Sequence, residues 1–538
     1  PKKAYVATTT RKGNGLVYAL QAALDGAIAR GEYQKVLARW GEQNTNRALA
    51  ILATGGDTAE AEKLLAVQSD YIRRRFDCSD FYLVYYPYIL RTFGKRGSGI
   101  LSEKTENELT DCLLGFRYWI DEPGNDAMWF WSENHALMFH TCQLLAGELF
   151  PDEVFTNSGL TGRQMQAKAK NMLYDWFVTF RKEGFTEWNS SPYLPIDTLG
   201  FGSLYAFAQD PAMRELGREG MDFAYYLLAV HSQQGIFASS SGRTYIKEQF
   251  GNWSNCPSGL SWIGYGYGVP GHAGKGITSY CLSDYEPPKE FAQWFSIPRG
   301  KEMICQTTQG NDGYVDLYTY KTADYMMTSA NDFHPGEPGH QENPFQLTFN
   351  AVAQLWVTHP GERVLFGAAR PSYWAGNGTL PKVNQYKAFA GLIYDIAPEH
   401  PVDFTHLYLP SMEFDRCEVE GKWAFVQLGS AYAAVYCSNG MQMQDFGSNK
   451  DRECIAEGRR CIWLVRAAQA DEFAAFEDFK AAMRGAALDA DAEGRRYRFV
   501  DPVYGELRCQ WGETLYVNDA PMQYSGFDNY GKLTMQEK

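Results

Sequence analysis

Two residues past Ser132, in the stretch Trp129-Phe-Trp-Ser-Glu-Asn-His-Ala-Leu-Met-Phe-His140, stand Asn134 and His135. Ser132 is suited to cap a helix, which makes the pair its second and third residues. Trp131, His135, Met138, Cys142 and Leu145 then recur at helical spacing, so His135 faces inward. The partial positive charge of a helix N-terminus favours anions there. The amide of Asn134 can donate to a developing negative charge, and the imidazole of His135 can carry a proton. Trp129, Phe130, Trp131 and later Trp188 offer faces for stacking on sugar rings. A second stretch, Glu183-Gly-Phe-Thr-Glu-Trp-Asn-Ser-Ser-Pro-Tyr193, ends on an isolated tyrosine in a Ser/Pro-rich loop. A phenol there can move a proton once a nearby cation or histidine lowers its pKa from about 10. We expect Asn134, His135 and Tyr193 to meet at one site. The alternatives are ordinary ones: a helix cap, a satisfied buried imidazole, a packed loop aromatic.

The surrounding chain must position these groups. Helical patterns are predicted over 15–29, 58–75, 102–118, 162–182, 195–209 and 211–233, besides the helix after Ser132. Successive helices without intervening strands imply helical hairpins arranged in an arc or ring. From about residue 236 the texture becomes turn-rich, and Pro287-Pro288 reads as a linker. Short alternating runs follow at 314–322, 345–350, 354–358, 423–428, 431–437, 460–467, 496–500 and 505–510, spaced as in an antiparallel sandwich. A helix over 472–483 interrupts them, and 528–538 reads as a polar, loosely held tail. The expected division is a helical domain, 1–285, and a β-sandwich domain, 286–538.

A chain of 538 residues is too long for one core. Its 45% hydrophobic content marks it as globular, and its net charge of −14 argues against general nucleic-acid binding. An acidic ligand is not excluded, because a local Arg/Lys cluster suffices. No apolar run reaches the ~18 residues of a membrane span. The start Pro1-Lys-Lys-Ala-Tyr-Val has neither an initiator Met nor a signal-peptide pattern. Eleven scattered Cys without CxxC spacing read as reduced thiols, so a cytoplasmic setting is expected. The alternative is a periplasmic or secreted protein whose signal peptide has been removed. The phosphate-loop, dinucleotide and H-E-x-x-H patterns are absent.

Helices followed by antiparallel strands, with three motifs in order, resemble the heparinase II/III-like polysaccharide lyases and the related alginate lyases. The motifs are Asn134-His135, the loop Gly184 to Tyr193, and Gly339-His-Gln-Glu-Asn-Pro-Phe345 followed by an apolar run and His359-Pro-Gly361. Two departures are plain: Phe345 comes about one residue early, and His359 stands where Asp is usual. The resemblance implies an (α/α) incomplete toroid followed by an antiparallel β-sandwich, with the substrate cleft between them. It also implies β-elimination on a uronic-acid-containing glycan. Asn134 would neutralise the uronate, and Tyr193 would act with His135 or His340 as base and acid. Trp129, Trp131, Glu133, Glu187, Trp188 and Arg243 would bind substrate. Arg243 suits bidentate contact with a carboxylate, though it reads equally as a surface charge.

No organic cofactor is expected. Related lyases can hold a structural zinc under the third motif, for which Glu342, His359 and His406 are the candidates; they read equally as unrelated histidines and a surface carboxylate. The partner expected is an acidic polysaccharide or oligosaccharide, with no nucleic acid and no membrane. Two rival readings remain: a glycoside hydrolase on the same helical ring using Glu133 and Glu187, and a non-catalytic glycan-binding protein.

Overall fold

The computed structural model describes residues 34–35, 37–39, 42–249, 256–268, 274–310, 315–365 and 367–538. The expected helix over 15–29 lies outside them, as does the end of the Gly264–Gly271 loop. The described residues fall into two compact units. The first lies within Pro1–Arg181, Tyr193–Tyr226 and Cys256–Phe291; the second lies within Lys182–Pro192, Leu227–Asn255 and Ala292–Lys538. The division expected at residue 285 is therefore interleaved. The loop ending before Tyr193 and the segment after Tyr226 group with the strands, and two later helices group with the helical unit.

Helices form the first unit. In chain order they begin with α1 (Thr45–Ala53), α2 (Thr58–Arg73), α3 (Asp80–Leu83), α4 (Tyr86–Phe93) and α5 (Glu103–Gly115). Then come α6 (Glu133–Leu149), α7 (Gly162–Glu183), α8 (Leu194–Phe207) and α9 (Pro211–Val230). After α10 (Ile246–Gln249), in the second unit, follow α11 (Cys256–Tyr265) and α12 (Gly274–Cys281). Local chemistry sets several starts. Asp57 accepts from Ala59 N–H at the head of α2, and Ser102 from Thr105 N–H at the head of α5. Helix α6 is buried almost all round rather than along one stripe, so it is the central helix of its unit. Gly200 lets α8 lie close on it, since a Cβ there would meet Leu137 Cδ2 at 2.7 Å. Helices α11 and α12 were not legible, because glycines and aromatics interrupt their periodicity.

Antiparallel sheets form the second unit. The strands run β1 (Lys301–Gln309), β2 (Val315–Lys321), β3 (Met326–Asn331), β4 (Phe345–Thr348), β5 (Gln354–Thr358), β6 (Lys382–Tyr386) and β7 (Phe389–Asp395). They continue with β8 (Phe404–Tyr408), β9 (Arg416–Glu420), β10 (Trp423–Leu428), β11 (Ala431–Cys437), β12 (Gln442–Met443), β13 (Glu453–Glu457) and β14 (Arg460–Gln469). After α13 (Phe476–Gly485) come β15 (Leu488–Asp491), β16 (Arg496–Asp501), β17 (Gly505–Gln510), β18 (Tyr516–Val517), β19 (Ala520–Pro521) and β20 (Lys532–Glu537). One sheet has the order β12-β13-β8-β5-β4-β3-β2-β1-β20, a second β6-β7-β14-β11-β10-β9, and a third β15 to β19 in sequence. Leu347 and Leu355 of the first, Leu392 and Val465 of the second, and Phe499 and Leu507 of the third share one core. Strands β3, β5, β8 and β11 are buried on both faces; β11 reads as a near-continuous apolar run, whereas β3 and β8 bury Thr, Ser and His side chains as well.

The tail is a correction. Residues 532–537 pair with β1, Met303 standing opposite Met535, and Lys538 Nζ reaches Asp471 Oδ1 at 2.6 Å. Its polar side chains are those of an edge strand, not of a loose end.

Burial holds three histidines neutral: His140 in the helical unit, His231 and His359 in the sheet unit, each lowered to about 3 by desolvation first. Their folded pKa lies below the unfolded value of 6.5. The unfolded chain therefore binds more protons between about pH 6.5 and pH 3, and stability is lost as pH falls through that window. Each such histidine should lower the unfolding free energy by about 1 kcal/mol between pH 6 and pH 5. Urea titrations at the two pH values measure this. His231→Gln should shrink the pH-dependence of the sheet unit's transition by one histidine's share; an unchanged slope would show that His231 is solvated.

Candidate functional site

Helix α6 places the first pair as expected. Ser132 occupies the cap position with extended backbone, ψ 151°, but its side chain makes no capping hydrogen bond. Asn134 and His135 are the second and third helical residues, and both are buried. The Asn134 Oδ1 atom is buried with no hydrogen-bond partner among the described residues. His135 Nδ1 lies 2.8 Å from Asp80 Oδ2, and its ring stacks on Phe81 with centroids 4.9 Å apart. Its other nitrogen, Nε2, lies 3.8 Å from Asp77 Oδ1. Asp80 is wholly buried in the short helix α3; burial pushes its pKa up, and the His135 charge and hydrogen bond oppose that.

Trp129 and Trp131 are 51% and 63% exposed, with ring centroids 5.5 Å apart and edge-on to one another. They are an open aromatic surface just before the helix. The Glu133 carbonyl accepts from Trp176 Nε1 at 3.2 Å, which ties the start of α6 to α7. Tyr193 is the residue before α8, half-buried, between Pro192 and the Pro195 of the first turn. The Gly200 contact lies roughly 10 Å of helix axis beyond Tyr193 and about 5 Å beyond Asn134. A single tight crossing therefore anchors both N-terminal turns.

The remaining candidates belong to the sheet unit. Trp188 is 3% exposed and packs with Val315, Leu317, Ala330 and Phe333. A Cβ on Gly242 would lie 2.6 Å from its Nε1, so only glycine allows this approach. Trp188 therefore supports the loop from beneath instead of offering a sugar platform. Above it, Arg243 Nη1 lies 3.4 Å from Glu187 Oε1, and its guanidinium lies 5.7 Å from the Tyr245 ring centre. Arg370 lies over the same ring at 5.6 Å. His340 is exposed, and desolvation, then Arg243, lower its pKa, so it is held neutral near neutral pH. Tyr245 and Arg370 join this cationic group without a sequence signal of their own. The small polar cavity beside it, about 10 Å³ and lined by Ser191, Thr244, Glu248 and Gln249 among others, has room for one water. A larger cavity of about 480 Å³ on this unit is lined by Tyr408, Lys450 and Arg452 among others, and none of the sequence candidates lines it.

Glu342, His359 and His406 do not gather into a ligand set. Glu342 Oε2 accepts the His340 backbone N–H at 2.5 Å. His359 Nε2 lies 3.2 Å from the Val402 carbonyl oxygen, and His406 Nδ1 lies 2.6 Å from Glu453 Oε1. The residue opposite His406 across the strand pair is Thr358, and adjacent side chains of an extended chain point to opposite faces. Among the described residues, the three-residue group with ligand atoms all within 4.8 Å of one another is Asp77, Cys78 and His135. The cysteines described are all free thiols, and no described helix is long and apolar enough to cross a membrane.

No family model matches the chain, and no curated protein matches it. Among solved structures it is similar to a crystal structure of heparinase III, with a TM-score of 0.41 and 9% identity over 91% of this chain and 84% of that one. It is also similar to a second heparinase III gene product, with a TM-score of 0.37 and 10% identity over 95% and 86% of the two chains.

The two kinds of tryptophan separate by stability. Trp131→Ala should change the unfolding free energy by no more than about 0.5 kcal/mol. Trp188→Ala should cost about 3–5 kcal/mol. Denaturant titration of both variants checks this, and equal effects would refute the assignment of Trp188 to the core.

Proposed function

We propose that the protein is a lyase that cleaves a uronate-containing polysaccharide or oligosaccharide by β-elimination. The observation that carries the reading is Asn134: a buried amide in the first turn of α6, at the helix N-terminus and next to an exposed tryptophan pair.

The chemistry asks for this kind of group. Elimination removes the proton on C5, alpha to a carboxylate, and that proton is not acidic while the carboxylate keeps its charge. The Asn134 amide donates to the carboxylate and, with the helix N-terminus behind it, stabilises the enediolate. The C5–H electron pair becomes the C4–C5 double bond, the C4–O bond breaks, and the leaving oxygen takes a proton. Tyr193 is the group we assign to proton transfer, because it follows Pro192, whose fixed φ sets the entry to α8, and stands half-buried just before that helix. Trp129 and Trp131 offer stacking faces for sugar rings. The hydrolase alternative is weakened by Glu187, whose carboxylate is paired with Arg243.

The test is a panel of acidic polysaccharides watched for the ultraviolet absorbance of a conjugated double bond. With a substrate in hand, Asn134→Ala should lower kcat by ~100-fold or more with little change in KM. Tyr193→Phe, which deletes one oxygen, should fold and bind glycan yet lose nearly all elimination. Reducing ends without new absorbance would point to hydrolysis, and binding without either product to a glycan-binding protein. Full turnover by Tyr193→Phe would overturn the mechanism.

A further inference from the structure

The loop before α3 brings together three side chains that the elimination does not need. Asp77, Cys78 and His135 each offer one ligand atom, and the three atoms lie within 4.8 Å of one another. They come from two separate stretches of chain and from three chemical types: carboxylate, thiol and imidazole. We propose that Asp77, Cys78 and His135 form a binding site for a borderline-soft divalent cation, with Zn²⁺ the best fit.

Two features carry this. The first is distance. Bonds of 2.0–2.3 Å in a tetrahedron set ligand atoms roughly 3.3–3.8 Å apart. Asp77 Oδ1 and His135 Nε2 lie 3.8 Å apart, and the full set needs a contraction of about 1.5 Å at most to reach that spacing. The second is orientation. His135 Nδ1 is held by Asp80 at 2.8 Å, which puts the ring proton on Nδ1 and turns the Nε2 lone pair toward Asp77 and Cys78. A carboxylate behind a histidine is the usual support for a metal-binding imidazole.

The donor set selects the ion. Thiolate and imidazole favour zinc or similar late transition ions over magnesium or calcium, which prefer all-oxygen shells. Three protein ligands leave a fourth position for water or a ligand oxygen. Binding exchanges the Cys78 S–H for a metal–sulfur bond and releases that proton to solvent. The site stands independently of the lyase reading, but it bears on it: a metal on Nε2 removes His135 as a base and leaves proton transfer to Tyr193.

The test is titration of chelator-stripped protein with Co²⁺, whose bond to a thiolate gives a charge-transfer band. We expect that band in the wild type, its loss in Cys78→Ser and its persistence in Cys417→Ser, a thiol of the sheet unit. Asp80→Asn should weaken Co²⁺ binding on the order of 10- to 100-fold, because it loosens the histidine without removing a ligand. Should a variant fail to fold, the wild type alone decides. Zn²⁺ should protect Cys78 from iodoacetamide, read by peptide mass spectrometry, while labelling of Cys417 is unchanged. No thiolate band in the wild type, a band that survives Cys78→Ser, or alkylation of Cys78 indifferent to Zn²⁺ would each overturn the proposal.

Discussion

The region around the candidate site depends on one buried contact, the carboxylate of Asp80 against His135 Nδ1 at 2.8 Å. A carboxylate removed wholly from water costs several kcal/mol unless something positive or strongly donating faces it. Phe81 stacks on the imidazole, the Cys142 thiol donates to the Asp80 carbonyl, and the backbone N–H groups of Asp80 and Phe81 support the carboxylate. The imidazole is the side chain that faces the Asp80 carboxylate. It holds α3 to the start of α6, fixes which imidazole nitrogen faces Asp77, and sets the electrostatics one residue away at Asn134.

How much of this was legible follows from how each feature is encoded. The start of α6 was legible because cap, first turn and apolar spacing lie within one short stretch, and the positions of Asn134 and His135 came out as expected. Asp80 was not legible. It sits in a four-residue helix far upstream, and nothing local distinguishes it from a solvated carboxylate. The strands over 354–358 and 431–437 were legible from apolar runs between turns, whereas β6, β8 and β9 carry mixed polar residues, and β8 finds its partner β13 far along the chain. The tail was misread because an edge strand keeps polar side chains, and only its pairing with β1 identifies it.

The sheet-domain histidines and Trp188 show the limits of composition. His359 and His406 come together in a list of possible ligands, yet strand register decides which side chains share a face, and register is not written in residue type. Trp188 lies in a loop rich in small polar residues, which argues for exposure; Gly242 opens the space that buries it. In both places the deciding partner is remote in sequence. Arg370 beside Tyr245 is the same case.

The helical unit thus places two electrostatic demands side by side. Asp80 requires positive charge on the His135 ring, and a uronate at Asn134 requires neutralisation without a competing anion nearby. Burial pushes Asp80 toward the neutral form, in which the first demand lapses, and a charged imidazolium meets it at the cost of leaving Asp77 to oppose the substrate. A cation held on His135 Nε2 by Asp77 and Cys78 would satisfy Asp80 through the ring and absorb the charge of Asp77. The ion's charge is then offset by Asp77, the Cys78 thiolate and Asp80, so the attraction for an anion at the start of α6 is left to the helix N-terminus and the Asn134 amide. On this reading Asn134 and the helix dipole hold the carboxylate, the Asp80–His135 pair is structural, and the proton is moved by a group outside that pair.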